Sequence, residues 1–298
     1  METLYDRINS NKRTSYLLFF SFIIIVSTLG YVLGYIFSYP IFGFAVALLF
    51  AVFMTLFSYY SGDSTILSIS KARPATKKEF PHLVNTVEGL AIAAGIPTPK
   101  IYVIDEDSIN AFATGRDPKH ASISVTTGAV KKLNRTELEG VVGHEMSHIR
   151  NFDIRMMMLV AVLVGLTALI SDLILRTLIY RGGGRDRDRG SANIILIAIG
   201  VVLAILSPII AQLIKFAISR RREYLADADG ALLTRYPKGL ANALRKIKND
   251  NDKIVDAANK ATAHLFIENP LRQHKGWLIG LFDTHPPINE RIKALESM

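Results

Sequence analysis

A long run of the N-terminal sequence carries no charge, since no Asp, Glu, Lys or Arg occurs from Thr14 to Gly62. The turn-forming residues Ser38–Pro40 divide this run into two lengths of about 20 residues, and each is long enough to cross a hydrocarbon core about 30 Å thick. The pattern predicts a transmembrane hairpin over residues 1–62, with spans at about 16–37 and 41–60. The first span is too long for a signal-peptide apolar region and lacks a small-residue cleavage site. We therefore expect a retained anchor rather than two buried core helices.

A second pair of apolar segments covers about 156–180 and 192–214, within residues 156–218. The first segment carries Asp172 and Arg176, four residues apart on one helix face, where they can pair. Asp172 lies about 24 Å along the helix, near the far interface of a bilayer, where a charge costs less than at the centre. A second spanning hairpin is predicted. The alternative is a hairpin that only enters the bilayer or packs on protein.

Composition and charge also fit a membrane protein, because 50% of the residues are hydrophobic and the mean hydropathy is +0.27. The net charge of +9 is better explained by basic residues at the cytoplasmic ends of spans than by nucleic acid, which we do not expect as a partner. Lys12 and Arg13 precede the first span, and Lys71 and Arg73 follow the second. We therefore expect a multi-pass protein of the cell membrane whose soluble parts face the cytoplasm.

The soluble parts are predicted at residues 63–155 and 219–298. Apolar residues at helical spacing indicate a helix that ends at Gly95, and segments 100–105 and 121–130 are typical of strands. Thr136 followed by Glu139 has the pattern of a capping box, which places a helix start shortly before the sequence HEMSH. Residues 219–298 are predicted to be mainly helical.

The HEMSH segment, His144–His148, is the strongest indication of chemistry. Positions i and i+4 of a helix differ by about 40° in direction, so His144 and His148 can bind one metal ion together. Glu145 stands beside the open coordination position and can accept a proton from water there. The chain has no cysteine, so the metal must use His, Asp or Glu, which suits a catalytic Zn²⁺. The alternative is a solvated helix face with two ordinary histidines.

A catalytic zinc needs a third protein ligand. Glu223 and Asp227 lie four residues apart on a predicted helix that follows the last apolar segment. Glu223 could ligate the metal, and Asp227 could hold a ligand histidine through its second ring N–H. From spacing alone, a surface Glu223 paired with Arg220 or Lys215 is favoured. The other candidates for the third ligand are the remaining histidines, His82, His120, His264, His274 and His285.

The order of the motifs resembles the HtpX family of membrane-bound zinc metalloproteases, which are related to the CAAX prenyl proteases. HEMSH is followed about 75 residues later by EYLADADG, with an apolar hairpin between them and two spans before. NAFATG at 110–115 and THPP at 284–287 extend the resemblance over nearly the whole chain. The resemblance implies one Zn²⁺ per chain, held by His144, His148 and Glu223, with Glu145 as general base.

The fold class that the resemblance implies is mainly α and integral to the membrane. A gluzincin-type metalloprotease domain, α+β with a small sheet and the HExxH helix, would be joined to about four transmembrane helices in two hairpins. The enzyme would hydrolyse peptide bonds in misfolded or damaged membrane proteins, as part of quality control and the stress response. Its partners would be polypeptide substrates and the lipid bilayer, and the sequence carries no signal for an oligomeric state.

The resemblance also implies functional roles for two further motifs. Asn110, Ala111 and Phe112 resemble a family segment that forms an edge strand beside the active site, where an extended substrate can add as a strand. His285 resembles a family histidine near the cleft and could donate a hydrogen bond to the oxyanion. From the residues alone, a loop with a core phenylalanine and a histidine at a helix start are the simpler interpretations. Arg291 could brace this region through a salt bridge.

Two other functions compete with this prediction. A protease that cuts inside the bilayer would place HExxH within an apolar span, but charged segments flank the motif on both sides. A non-catalytic membrane adaptor or transporter would carry a structural or accidental metal site.

Overall fold

The computed structural model describes residues 4–36, 38–162, 220–250, 265–267 and 286–298. Nearly all of the predicted second hairpin, 156–218, lies outside the described residues, and so does His285. Residues 153–162, which lead into that hairpin, are helical.

Two long helices form the N-terminal hairpin, α1 (Leu4–Ile36) and α2 (Pro40–Ile69). Both are longer than the predicted spans, because α1 begins before residue 16 and α2 continues past residue 60. Only 17% of the most apolar stretch of α1 and 11% of that of α2 is buried, whereas a core helix of a soluble protein is mostly covered. The described residues therefore contain two candidate membrane helices whose apolar side chains face outward.

Glycines allow the two helices of the hairpin to approach closely. A Cβ atom on Gly30 would overlap the side chain of Ala47, and one on Gly43 would overlap the carbonyl oxygen of Gly30. Small residues at a helix crossing bring the backbones into contact and give van der Waals attraction that apolar lipid cannot replace. The hairpin is therefore tightly packed along its own axis while its outer faces stay exposed.

A mixed four-stranded sheet, in the order β1-β2-β4-β3, lies beneath the soluble helices. The strands are β1 (Arg73–Pro74), β2 (Lys100–Ile104), β3 (Ala111–Gly115) and β4 (Ala121–Thr126). β4 pairs parallel with β2 and antiparallel with β3, so Ile123 lies between Ile101 and Ala113. The predicted strands are confirmed, although the second ends early. Thr126 accepts a hydrogen bond from the N–H of Ala129 and starts a short helix, α4 (Thr127–Lys132).

Two helices of the first soluble part pack on one another, α3 (Pro81–Ala94) and α5 (Arg135–Arg150), and α5 also packs on β3. The predicted end of α3 is confirmed, since Gly95 adopts the left-handed conformation that closes a helix. The predicted capping box of α5 is wrong. Asn134 accepts from the N–H of Glu137, which in turn accepts from the N–H of Asn134, so the box lies two residues earlier than expected. Asparagine is at least as good an N-cap as threonine, and the helix uses the earlier site.

Three later helices complete the described fold, α6 (Arg220–Thr234), α7 (Pro237–Asn249) and α8 (Ile288–Glu296). α5 packs against α6 and α7, and α8 packs against both of these. The axes of α5 and α6 come close at Gly230, where a Cβ atom would lie 2.8 Å from the backbone nitrogen of His144. This close approach brings short side chains of α6 within reach of α5.

Candidate metal centre

α5 directs the HEMSH side chains into the interior of the protein. His144 and Glu145 are each 1% exposed and His148 is 2% exposed, so the interpretation as a solvated helix face is wrong. The Nε2 atoms of the two histidines lie 3.2 Å apart. Each Nδ1 atom faces a carboxylate, Asp227 for His144 and Asp153 for His148. With both Nδ1 atoms donating, the lone pairs of both Nε2 atoms converge on one point.

Glu223 reaches the same point from α6. Its carboxylate oxygens lie 3.6 Å from Nε2 of His144 and 3.5 Å from Nε2 of His148. Tetrahedral ligands at about 2.0–2.1 Å from a zinc ion are roughly 3.3–3.4 Å from one another, so the three side chains fit around one such ion. Glu223 is 2% exposed, and the surface position that spacing alone favoured is wrong. The close packing of α5 on α6 is the reason, and spacing within a single helix does not reveal it.

The other histidines do not join this group in the described part of the chain. His144, His148 and Glu223 form the group of potential metal ligands found there, with ligand atoms within 4.8 Å of one another. His82 and His120 are exposed. The remaining three, His264, His274 and His285, lie outside the described residues.

Asp227, one turn after Glu223, orients His144. Its Oδ1 lies 2.9 Å from Nδ1 of His144. Arg291 of α8 donates to both oxygens of Asp227, at 2.8 Å and 2.6 Å, so the predicted salt bridge of Arg291 is confirmed. The guanidinium also lies 3.4 Å from Nδ1 of His144, but it can only donate, so the Nδ1 hydrogen points to Asp227. Burial by itself raises the pKa of Asp227, and the charge of Arg291 outweighs it and lowers that pKa to about 2.

His148 has a carboxylate partner that sequence reasoning missed. Oδ2 of Asp153 lies 3.1 Å from Nδ1 of His148, and Oδ1 accepts a hydrogen bond of 2.8 Å from Asn11 of α1. Burial by itself lowers the pKa of His148, but the hydrogen bond to Asp153 and the charge of Glu223 raise it to about 9. The turn that follows α5, where Phe152 has a φ of 62°, precedes Asp153 and is visible only in the structure.

Glu145 lies in the same buried space, and its Oε2 atom has no hydrogen-bond partner among the described residues. Burial raises the pKa of the Glu145 carboxyl, and the positive charges of His144 and His148 oppose this effect only in part. Buried polar atoms nearly always have a partner, so an unpaired carboxylate oxygen marks a place for water or a ligand. The donor set and this oxygen together fit a metal ion with a water molecule beside it.

The residues predicted to bind substrate lie at the start of β3, which packs beside α5. Phe112 is fully buried, and its ring packs against Phe266 with a centroid distance of 5.1 Å. Its side chain therefore belongs to the core and offers no contact surface to a substrate. Only the backbone of this strand remains as a means of binding an extended chain.

The outer edge of β3 is partly occupied. The C=O of Ala111 accepts from the N–H of Ile267, and its N–H donates to the side chain of Asn110. Inward and outward backbone groups alternate along an antiparallel strand, so Ala113 is the next residue whose N–H and C=O point to the outer edge. Arg291 also donates to the C=O of Ile267 at 3.2 Å, which links the metal centre to this edge.

Three side chains that could hold a metal ion converge next to a glutamate oxygen without a partner among the described residues, and this arrangement suits the hydrolysis of a peptide bond. The same chain carries a hairpin of outward-facing apolar helices. The fold and the site thus define a membrane-bound metalloprotease. Residues 77–298 match Peptidase family M48, and the chain belongs to this family.

Relatives of similar length support the assignment. Three proteins, each named Protease HtpX homolog, are 48%, 47% and 42% identical to this chain, each over 99% of it. They come from Dictyoglomus thermophilum, Caldanaerobacter subterraneus subsp. tengcongensis and Lactobacillus helveticus, and the matches cover 95%, 98% and 100% of their lengths. The crystal structure of S. mikatae Ste24p shares the fold, with a TM-score of 0.50 at 21% identity over 97% of this chain and 66% of that one. The predicted family and protease activity are confirmed, and the adaptor or transporter alternative is not favoured.

Proposed function

We propose that this metalloprotease is a zinc-dependent endopeptidase in which His144, His148 and Glu223 hold one Zn²⁺ per chain. The observation that carries the proposal is the convergence of two Nε2 atoms and one carboxylate at 3.2–3.6 Å from one another. Three protein ligands leave the fourth position open, as catalytic zinc sites require. Asp227 and Asp153 support the proposal, because carboxylates on the outer nitrogens fix the ring orientation of ligand histidines.

The proposed metal ion and Glu145 would have separate roles in the hydrolysis. A zinc ion held by His144, His148 and Glu223 would supply Lewis acidity for the substrate carbonyl and would lower the pKa of water from about 15.7 towards 7. Glu145 accepts the proton that the attacking water loses and then delivers it to the amine nitrogen that leaves. Burial favours this double role, because it raises the carboxyl pKa towards neutrality and so makes the protonated state accessible.

The substrates are polypeptides, and we propose that they bind as an extended strand along β3. Ala113 offers the outward N–H and C=O for such pairing. Asn110 and Ala111 would determine where the free outer edge of β3 begins, and their side chains would not contact the substrate. His285 remains our candidate for a hydrogen-bond donor to the oxyanion.

We further propose how the site is arranged relative to the membrane. Residues 1–62 and 156–218 would form two membrane hairpins with about four spans, and residues 63–155 and 219–298 would form one gluzincin-type domain on the cytoplasmic side. The basic residues that precede the apolar part of α1 and follow α2 support this orientation. Misfolded or damaged membrane proteins would then reach the site beside the bilayer. α5 is not one of the two candidate membrane helices, which favours this arrangement over cleavage within the bilayer.

Glu145→Gln tests the proposal directly. The variant should bind zinc as the unchanged protein does and should cleave an unfolded membrane-protein substrate about 10²–10⁴-fold more slowly, because only the proton acceptor is lost. Glu139→Gln is the matched control on the same helix, since Glu139 pairs with Arg135 at the surface. Full proteolysis by Glu145→Gln would contradict the role of Glu145, and zinc binding that survives Glu223→Ala would contradict the ligand set.

A further inference from the structure

The first turns of α1 lie against the end of the ligand helix. Asn11 precedes the apolar part of α1, yet it is only 8% exposed. Its Nδ2 atom donates to Oδ1 of Asp153 and to the backbone carbonyl oxygen of Asn151, both at 2.8 Å. Both donor hydrogens of the amide therefore go to two residues that directly follow α5, Asn151 and Asp153.

Asp153 connects this contact to the metal centre. One of its oxygens faces Nδ1 of His148 at 3.1 Å, and the other is the oxygen that Asn11 holds. Arg222 approaches the same oxygen only to 3.8 Å, which is beyond hydrogen-bond distance. Among the described residues, Asn11 therefore makes the closest hydrogen bond to this oxygen, and we expect it to fix the rotation of the Asp153 carboxylate.

A second contact places α1 against the other ligand helix. Arg7 lies 3.4 Å from Asp229 of α6, and Asp229 also accepts a hydrogen bond of 3.0 Å from the side chain of Asn151. The start of α1 thus joins the end of α5 to α6. These are the two helices that supply His148 and Glu223.

We propose that Asn11 is a positioning residue for the metal centre, acting through Asp153 on His148. The inference rests on the proposed zinc site. A carboxylate held at one oxygen directs its other oxygen at the imidazole, and this fixes the direction in which the Nε2 lone pair of His148 points. The first membrane helix is then a structural part of the active site as well as an anchor.

The test is zinc affinity of the full-length protein in detergent, measured by competition with a chromogenic chelator. Asn11→Ala should weaken zinc binding by about 3- to 10-fold, less than the 10- to 100-fold that is usual when a direct outer partner of a ligand is removed. Asn11→Leu should give the same loss, because leucine keeps the branched shape of asparagine but cannot donate. Asn9→Ala is the matched control, since Asn9 is exposed on the same helix and should leave the affinity unchanged.

A double-mutant cycle separates positioning from general destabilisation. In an Asp153→Ala background, Asn11→Ala should change the zinc affinity by less than about 2-fold, because the route from Asn11 to His148 is already broken. An equal loss in both backgrounds would overturn the proposal, as would normal zinc affinity in Asn11→Leu. If the unchanged protein binds no zinc, the proposed function fails as well. If it binds zinc and Asn11→Ala binds equally tightly, only this inference fails.

Discussion

Replacing Arg291 with methionine removes one half of a buried ion pair and leaves the other half in place. Arg291 and Asp227 are each 1% exposed, and two hydrogen bonds of 2.6 Å and 2.8 Å join them. Methionine fills similar space but leaves the ring N–H of His144 as the remaining partner of Asp227 among the described residues. Breaking a buried pair in this way costs about 3–5 kcal/mol. For a soluble part of this size, that corresponds to a fall in melting temperature of roughly 6–20 °C.

The assay is thermal unfolding of the metal-free protein in detergent, with Lys293→Met as control, because Lys293 is an exposed cation on the same helix. The double variant Arg291→Met, Asp227→Leu should recover most of the lost stability, since replacing both members of a buried pair with apolar residues is often neutral. Its zinc affinity should stay about 10- to 100-fold low, because His144 has lost its orienting carboxylate. A melting temperature for Arg291→Met within about 2 °C of the control would refute this account of the pair.

Two further predictions concern the same region. Gly230→Ala should destabilise the protein by about 1–3 kcal/mol, because its Cβ would lie 2.8 Å from the backbone nitrogen of His144. Gly89 is exposed with open space around its Cβ, so the control Gly89→Ala should raise the stability by about 0.5–1 kcal/mol. Chemical unfolding measures both free energies, and equal effects would contradict the predicted crowding at Gly230. The pKa of His148 is raised to about 9, so in the metal-free protein its contribution to stability is complete below about pH 6.5 and is lost as the pH rises through 9. Melting temperatures recorded with a chelator should therefore fall across this window, and a flat profile would count against the Asp153 and Glu223 contacts of His148.

Features that depend on a few neighbouring residues were predictable from the sequence. The direction shared by His144 and His148 follows from helix geometry, and the end of α3 follows from Gly95. The charge-free run located the N-terminal hairpin, although α1 and α2 continue beyond it as helices. Polar residues can extend a helix without extending its span, so hydropathy alone marks the apolar part and not the helix ends.

Features that depend on packing between distant segments were not predictable. Glu223 is buried because α6 approaches α5 at Gly230, and the residue spacing within α6 does not predict that approach. Asp153 and Asn11 meet across 142 positions of sequence, so neither could be assigned to the site without the fold. The side chain of Phe112 lies in the core, as the residues alone favoured, but its contact with Phe266 joins distant segments and was not predictable.

The contact between Arg291 and Asp227 also has a consequence for how the enzyme is made. These residues are 64 positions apart, so α6 leaves the ribosome well before the arginine that holds its aspartate. At about 5–20 residues per second, this interval lasts roughly 3–13 s. During that time the histidine helix exists without its brace, and a nascent chain that already contains HEMSH is expected to be inactive. The protease would then acquire full activity only after α8 has docked against α6.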